Sequence, residues 1–175
     1  FGGLHVLALS GIAAGHYFFA TVPFAWQPYV FFPLIVTAPT LIFIVGLTWL
    51  LTSLLRNQAL VSICLLGISF FCFAAGQHFY YVADIFAFFI PLTYSDFTGF
   101  GHLNQLASVR SMHVLFGLAG MGMSILFFSR LRQSSWAVAT AILLVLSCSG
   151  GIAWISTTYL SQQKGDLQYR QDLRA

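Results

Sequence analysis

The chain alternates between long apolar runs and short polar breaks. Five of the runs have about 20 residues or more, which is the length that an α-helix needs to cross a bilayer. They cover roughly residues 4–24, 29–55, 59–82, 108–128 and 136–160. The pattern therefore predicts an all-α fold, a polytopic transmembrane helix bundle with about five spanning helices.

Short polar segments separate these runs and predict the turns between helices. They are AWQP at 25–28, RNQ at 56–58 and RLRQSS at 130–135. Pro33 and Pro39 fall inside the second run. Because a proline removes a backbone donor, we expect them to kink this helix or to mark its entry. We expect residues 1–160 to form the membrane domain and the polar residues 161–175 to form a tail outside it.

One connection between the runs differs from the others. Residues 84–107, DIFAFFIPLTYSDFTGFGHLNQLA, are rich in Phe but are interrupted by acids, glycines and a proline. This segment is too apolar for a solvated loop, and aromatic side chains are favoured at the headgroup level of a bilayer. It predicts one interfacial connection, a short helix plus a loop. The face of the bilayer where it lies is called side B below.

Composition supports a membrane location. Hydrophobic residues make up 59% of the chain and charged residues 6%, whereas a soluble domain has about 25% charged residues. We therefore expect an integral, multi-pass protein of a bacterial inner membrane or an organelle membrane. The few basic residues form no cluster, which excludes a nucleic-acid partner. The three cysteines lie in apolar runs and are expected to be apolar fillers.

Three histidines lie inside the predicted spans, in the half of the bilayer nearest side B. They are His16, His78 and His113, and at 1.5 Å rise per residue each lies within about 12 Å of that face. A polar side chain inside a bilayer is costly and by default marks a functional site. These histidines are therefore the candidate ligands of a metal or cofactor.

Small residues accompany the candidate histidines. Ala13 precedes His16 by three residues and Gly117 follows His113 by four, spacings that place each pair on one helix face. A flat macrocycle could then approach the backbone beside each imidazole. Small residues also let transmembrane helices pack closely, and a histidine among them can simply form an interhelical hydrogen bond. The spacing alone leaves both interpretations open.

The residue types narrow the choice of cofactor. Neutral imidazole suits iron, copper and zinc. A hard-cation site would need carboxylates, and this chain has no Glu. A copper or zinc site would need hydrogen-bond acceptors around its histidines, and these are scarce near the three residues. Haem needs one histidine per iron face and an apolar pocket, and chlorophyll needs a single histidine on magnesium. We expect haem b, with chlorophyll or no cofactor as alternatives. His113, His78 and His16 are the candidate axial ligands.

The fourth run contains a local resemblance. Residues 109–132, VRSMHVLFGLAGMGMSILFFSRLR, resemble the helix that bears a low-spin haem ligand in catalytic subunits of haem–copper oxidases, especially the nitric oxide reductases. The resemblance implies that His113 is an axial haem ligand and that Arg110 is a partner of a haem propionate. The rest of the chain departs from that family, because it has too few spans and no histidine pair for a copper site.

These observations predict a cytochrome b-type subunit that holds haem for electron transfer within a larger respiratory or photosynthetic complex. Its partners would be other membrane subunits, lipids and a quinone. No nucleophile–base pair or paired carboxylates are visible, so we expect an electron-transfer or accessory role rather than catalysis. The alternatives are a chlorophyll-binding subunit of an antenna or reaction centre, and a structural subunit without a cofactor.

Overall fold

The computed structural model is helical over almost all of the chain that it describes. The described residues are 2–19, 26–75, 84–87, 89, 94–95, 99–100, 103–128 and 134–172. Within them, β-structure is limited to one antiparallel pair of two-residue strands, β1 (Tyr94–Ser95) and β2 (Gly99–Phe100). The predicted helical class is therefore confirmed.

The helices follow the apolar runs. They are α1 (Gly2–Phe19), α2 (Gln27–Phe32), α3 (Ala38–Leu55), α4 (Gln58–Ala75), α5 (Leu103–Phe127) and α6 (Ser135–Asp172). In the described part of the chain, three helical stretches are long and apolar enough to cross a bilayer, namely Gln27–Leu55, Leu106–Phe127 and Ser135–Thr158. α1 and α4 contain shorter apolar helices.

A π-helical turn, Pro33–Thr37, joins α2 to α3 at the position where the prolines predict a kink. The backbone N–H of Ala38 donates to the carbonyl of Pro33, five residues earlier. Pro39 follows directly, and in a regular α-helix its ring would collide with the carbonyl four residues before it. The wider π turn relieves that collision without ending the helix. α5 packs against this turn as well as against α3.

α3 and α5 run parallel to each other in close contact. The ring of Phe43 packs on His113, and one turn further along both helices Gly46 meets Gly117. α4 lies between α3 and α5 in sequence and runs back along α3. α5 therefore begins at the same end of the bundle as α3. Arg56, in the left-handed conformation with φ of 52°, ends α3 and lets α4 turn back along it.

α6 packs against the other side of α5 and runs antiparallel to it. The hydroxyl of Ser156 lies 3.4 Å from the sulfur of Met112. Leu115, about one turn after Met112 on α5, lies next to Gly151, which precedes Ser156 on α6. A Cβ on Gly151 would lie 2.8 Å from the Leu115 side chain. α5 is thus the central helix of the layer α3–α5–α6, and its buried face is where a site can form.

The structure changes several of the predicted boundaries. α5 begins at Leu103 rather than at 108, and α6 continues to Asp172, so most of the predicted polar tail is helical. With 38 residues, α6 is about 57 Å long, which exceeds the roughly 30 Å hydrocarbon layer. In the part of 84–102 that the structure describes, there are a turn and the β1–β2 pair. The interfacial location of this segment stays a prediction.

Candidate functional site

Arg110 and His113 are the largest fully buried side chains among the described residues. Each is 2% exposed, although both are polar. They lie three residues apart on α5 and so share one helix face. Arg110 is only four residues inside the apolar stretch that begins at Leu106, about 6 Å along the helix axis. A buried charge at this depth is costly unless other groups compensate it.

His113 is held by a bond to its own helix. Its Nδ1 lies 2.8 Å from the carbonyl oxygen of Val109. Because a carbonyl can only accept, Nδ1 must bear the proton, and in a neutral imidazole Nε2 is then the nitrogen with the lone pair. The Phe43 ring packs edge-on at 5.9 Å between ring centroids. Metal-binding histidines are typically oriented in this way, with one ring N–H donating to a carbonyl.

Arg110 forms a hydrogen bond to the turn at 84–87 through one nitrogen of its guanidinium. Nη1 donates to the carbonyl oxygen of Ile85 at 2.9 Å. The same oxygen accepts the hydroxyl of Thr40 on α3 at 2.8 Å. Nε and Nη2 of Arg110 are buried and have no hydrogen-bond partner in the part of the chain that the structure describes. One backbone carbonyl therefore links α3 and α5, and one edge of the guanidinium remains unsatisfied.

The turn at 84–87 closes the site at the start of α5. Asp84 and Ile85 are 3% and 6% exposed. The Asp84 carbonyl accepts the N–H of Ala87, and its Oδ2 accepts the N–H of Phe89 at 2.8 Å. The Asp84 carboxylate also interacts electrostatically with Arg110. This buried acid provides part of the charge compensation that the arginine requires.

Gly117 lies in the interface between α3 and α5. A Cβ at this position would meet the backbone carbonyl of Ile42, and one at Gly46 would meet the carbonyl of Gly117. A Cβ on Gly120 would lie 2.9 Å from the Gly46 oxygen. The small size of Gly117 therefore serves helix packing, as small residues often do in bundles of this kind. Its predicted contact with a cofactor stays a prediction.

The other predicted site residues lie elsewhere or outside the described chain. Nδ1 of His16 is 2.7 Å from the hydroxyl of Tyr29, a hydrogen bond that links α1 to α2. Ala13 lies one turn earlier on α1 and is partly buried. His78 lies outside the described residues. The structure thus brings Arg110 and His113 together, whereas the predicted pairing of His113 with His78 or His16 remains a prediction.

The geometry of the site is the only guide to the metal or cofactor that its side chains could hold. Comparisons with protein-family models, with curated proteins and with solved structures find no match. Among the described residues, no group of three or more His, Cys, Asp or Glu side chains could hold a metal ion on its own. A single imidazole such as His113 suits a metal that brings most of its ligands with it. Haem fits that description, since the macrocycle supplies four nitrogens.

Three participants of the site were missed from the sequence. Thr40 lies in an apolar run, where a threonine commonly bonds back to its own helix, and its hydroxyl does lie 2.8 Å from the Val36 carbonyl. The carbonyl of Ile85 is a backbone group, which leaves no trace in the sequence. Asp84 was visible as an acid at the end of an apolar run, and that isolation was the available signal.

Proposed function

We propose that the protein is an integral membrane subunit that holds haem b for electron transfer within a larger complex. The proposal rests on one observation, the buried pair of His113 and Arg110 one turn apart on α5. The imidazole, with Nδ1 bonded to a carbonyl, can offer Nε2 to iron. The guanidinium has a buried edge suited to a carboxylate such as a haem propionate. The bound haem would supply the redox chemistry.

The protein groups would position the cofactor and exclude water. The Nδ1–H bond to Val109 fixes the imidazole plane, and the Phe43 ring restricts it from the α3 side. The turn at 84–87 covers the arginine at the end of the helix. A second axial ligand would be His78, three residues beyond α4 in sequence, or His16 on α1. Quinone or a partner subunit would exchange electrons with the haem.

Two alternatives have specific support in the same geometry. Chlorophyll would need only one of these histidines, so His113 alone would satisfy it. A structural subunit without a cofactor would need nothing more than the observed bond between His113 and Val109, which already satisfies one ring nitrogen. Neither alternative explains why Arg110 is buried with two N–H-bearing atoms unpartnered among the described residues.

A visible spectrum of the purified protein tests the proposed function. We expect a reduced-minus-oxidised difference spectrum with the α band of a b-type haem, because His113 and a second histidine would hold the iron in a low-spin state. The measurement needs only mild detergent and dithionite. Red and far-red bands would instead establish chlorophyll, and a protein-only spectrum would leave the structural subunit.

The membrane location is supported by large apolar side chains that face outward. On α4 and α6 several are at least 70% exposed, for example Leu66, Phe70, Leu143 and Trp154. Soluble proteins rarely expose contiguous apolar patches of this kind, and lipid chains would cover them. We propose that α1 and α4 also span the bilayer together with the three long stretches, which gives the five-helix bundle expected from the sequence.

The proposed topology predicts which residues share a face of the membrane. Since α3 and α5 are parallel, Asn57 after α3 and Ser134 after α5 should lie on the same side, and Trp26 before α2 on the other. Single cysteines at these exposed positions, without the natural cysteines, can be labelled with an impermeant maleimide in oriented vesicles. Opposite labelling of Asn57 and Ser134 would contradict the five-span bundle.

A further inference from the structure

The unsatisfied edge of Arg110 has a defined shape. Nε and Nη2 are the two nitrogens whose N–H bonds point in parallel along one side of the guanidinium plane. That spacing matches the two oxygens of a single carboxylate or phosphate group. Both atoms are buried and lack a partner in the described chain, and the whole side chain is 2% exposed. A buried charged donor without an acceptor costs free energy, so this edge indicates a ligand.

The chain's own acid does not fill this edge. Asp84 is buried nearby and interacts electrostatically with Arg110, but its Oδ2 accepts the N–H of Phe89. The turn satisfies Nη1 instead, through the Ile85 carbonyl. Because Asp84 already offsets part of the positive charge, a ligand with one negative charge suits the site better than a doubly charged one.

The surroundings set the character of the rest of the ligand. Besides His113, the buried side chains of α5 next to Arg110 are Leu106 and Val109, and both are apolar. An anionic head at Arg110 would therefore continue into an apolar body along the helices. A hydrophilic anion would gain the bidentate contact but would leave its other polar groups unsatisfied.

We propose that the Nε–Nη2 edge of Arg110 binds the carboxylate of an amphiphilic ligand, next to the turn at 84–87. Two sources supply this chemistry, a haem propionate and a fatty acid from the bilayer. The first source rests on the proposed function. The second does not, because it requires nothing of His113.

Laurate binding to the purified full-length protein tests the site. We expect saturable binding in a non-ionic detergent and a rise in thermal stability, since a ligand that binds only the folded state stabilises it. Methyl laurate, which keeps the apolar chain but lacks the charge, should stabilise far less. If the ester and the acid stabilise equally, the carboxylate site is wrong, whether or not any variant folds.

Two substitutions of Arg110 then test the bidentate contact made by Nε and Nη2. Arg110→Gln removes the charge, and we expect laurate to bind about tenfold more weakly or worse. Arg110→Lys keeps the charge but cannot present two parallel N–H groups, so it should also bind more weakly. Arg56→Gln, at an exposed position, is the matched control and should bind normally. Equal laurate affinity in wild type and in a folded Arg110→Lys protein would overturn the bidentate contact.

The source of the carboxylate is distinguished by the visible spectrum. If haem copurifies and laurate binds only after the haem is extracted, the propionate is the occupant. If laurate binds through Arg110 to a protein with no haem band, the fatty-acid source holds and the proposed haem function fails. If the haem band is present while laurate binding and haem retention are unchanged in Arg110→Gln, the carboxylate site fails and the haem function stands.

Discussion

Replacement of His113 by alanine is expected to abolish the haem difference spectrum of the purified protein. The imidazole is buried, and its Nδ1–H bond to Val109 leaves Nε2 as the nitrogen with the lone pair. His113 is the only histidine within α5 (Leu103–Phe127). The variant should still insert into the membrane, because a neutral side chain is removed and no charge is left unpaired. Difference spectra at equal protein concentration measure the effect.

A structural role for His113 predicts a different pattern. Removing the side chain would then lower the thermal stability, and added imidazole would not restore any absorption band. For an axial ligand, free imidazole can enter the space left by His113→Gly and bring back part of the haem spectrum. Recovery with imidazole would therefore support ligation. A full haem band in the untreated His113→Ala protein would contradict it.

The second axial ligand can be assigned in the same experiment. Only one of His78 and His16 can be the second ligand of the haem that His113 binds. We therefore expect one of the variants His78→Ala and His16→Ala to lose the haem band and the other to keep it. Loss of the band in His16→Ala alone would place the haem between α1 and α5, with Nε2 of His16 as the ligand while its Nδ1 keeps the bond to Tyr29. His5→Ala is the control, because the sequence places it at the opposite end of the first apolar run.

The sequence singled out the two central residues of the candidate site for a simple physical reason. Arg110 and His113 are polar groups in an apolar run, and such residues are rarely retained in a bilayer without a partner or a function. Their burial in the structure agrees with that argument. What they contact was not predictable, because tertiary packing alone brings the Ile85 carbonyl to Arg110. The same packing brings the Thr40 hydroxyl to that carbonyl.

The sequence predicted a helix boundary where the apolar run and the helix end at the same residue. It missed a boundary where the helix extends beyond the apolar run. α3 ends at Leu55, as the polar RNQ segment indicates. α6 instead continues to Asp172, because hydropathy marks the end of the apolar environment, whereas a helix can extend into water. α5 begins in a polar stretch at Leu103 for the same reason.

Gly117 illustrates a different limit. A small residue one turn from a histidine has the same sequence pattern whether a macrocycle or another helix approaches it. The structure shows backbone atoms of Ile42 and Gly46 against this face. The distinction depends on the parallel packing of α3 on α5, which joins residues about 70 positions apart and has no local signature in the sequence.

Gly117→Ala is accordingly expected to destabilise the protein by about 1–3 kcal/mol, the usual cost of overpacking a close interface. The new methyl group would meet the carbonyl of Ile42, a backbone atom that cannot move aside unless α3 and α5 separate. Unfolding in mixed micelles of increasing sodium dodecyl sulfate content, followed by circular dichroism, measures the change in the free energy of unfolding.

Gly67→Ala on α4 is the matched control for this substitution. A Cβ at Gly67 has no atom within 4 Å, so the same added methyl group meets open space. Alanine is favoured over glycine in a helix by about 1 kcal/mol, and this variant should therefore be as stable as the wild type or slightly more stable. The two substitutions are chemically identical, so opposite signs can arise only from packing. If Gly117→Ala also proved neutral, α3 and α5 would not approach as closely as the structure shows, and the positions of Phe43 and Thr40 around the site would change with them.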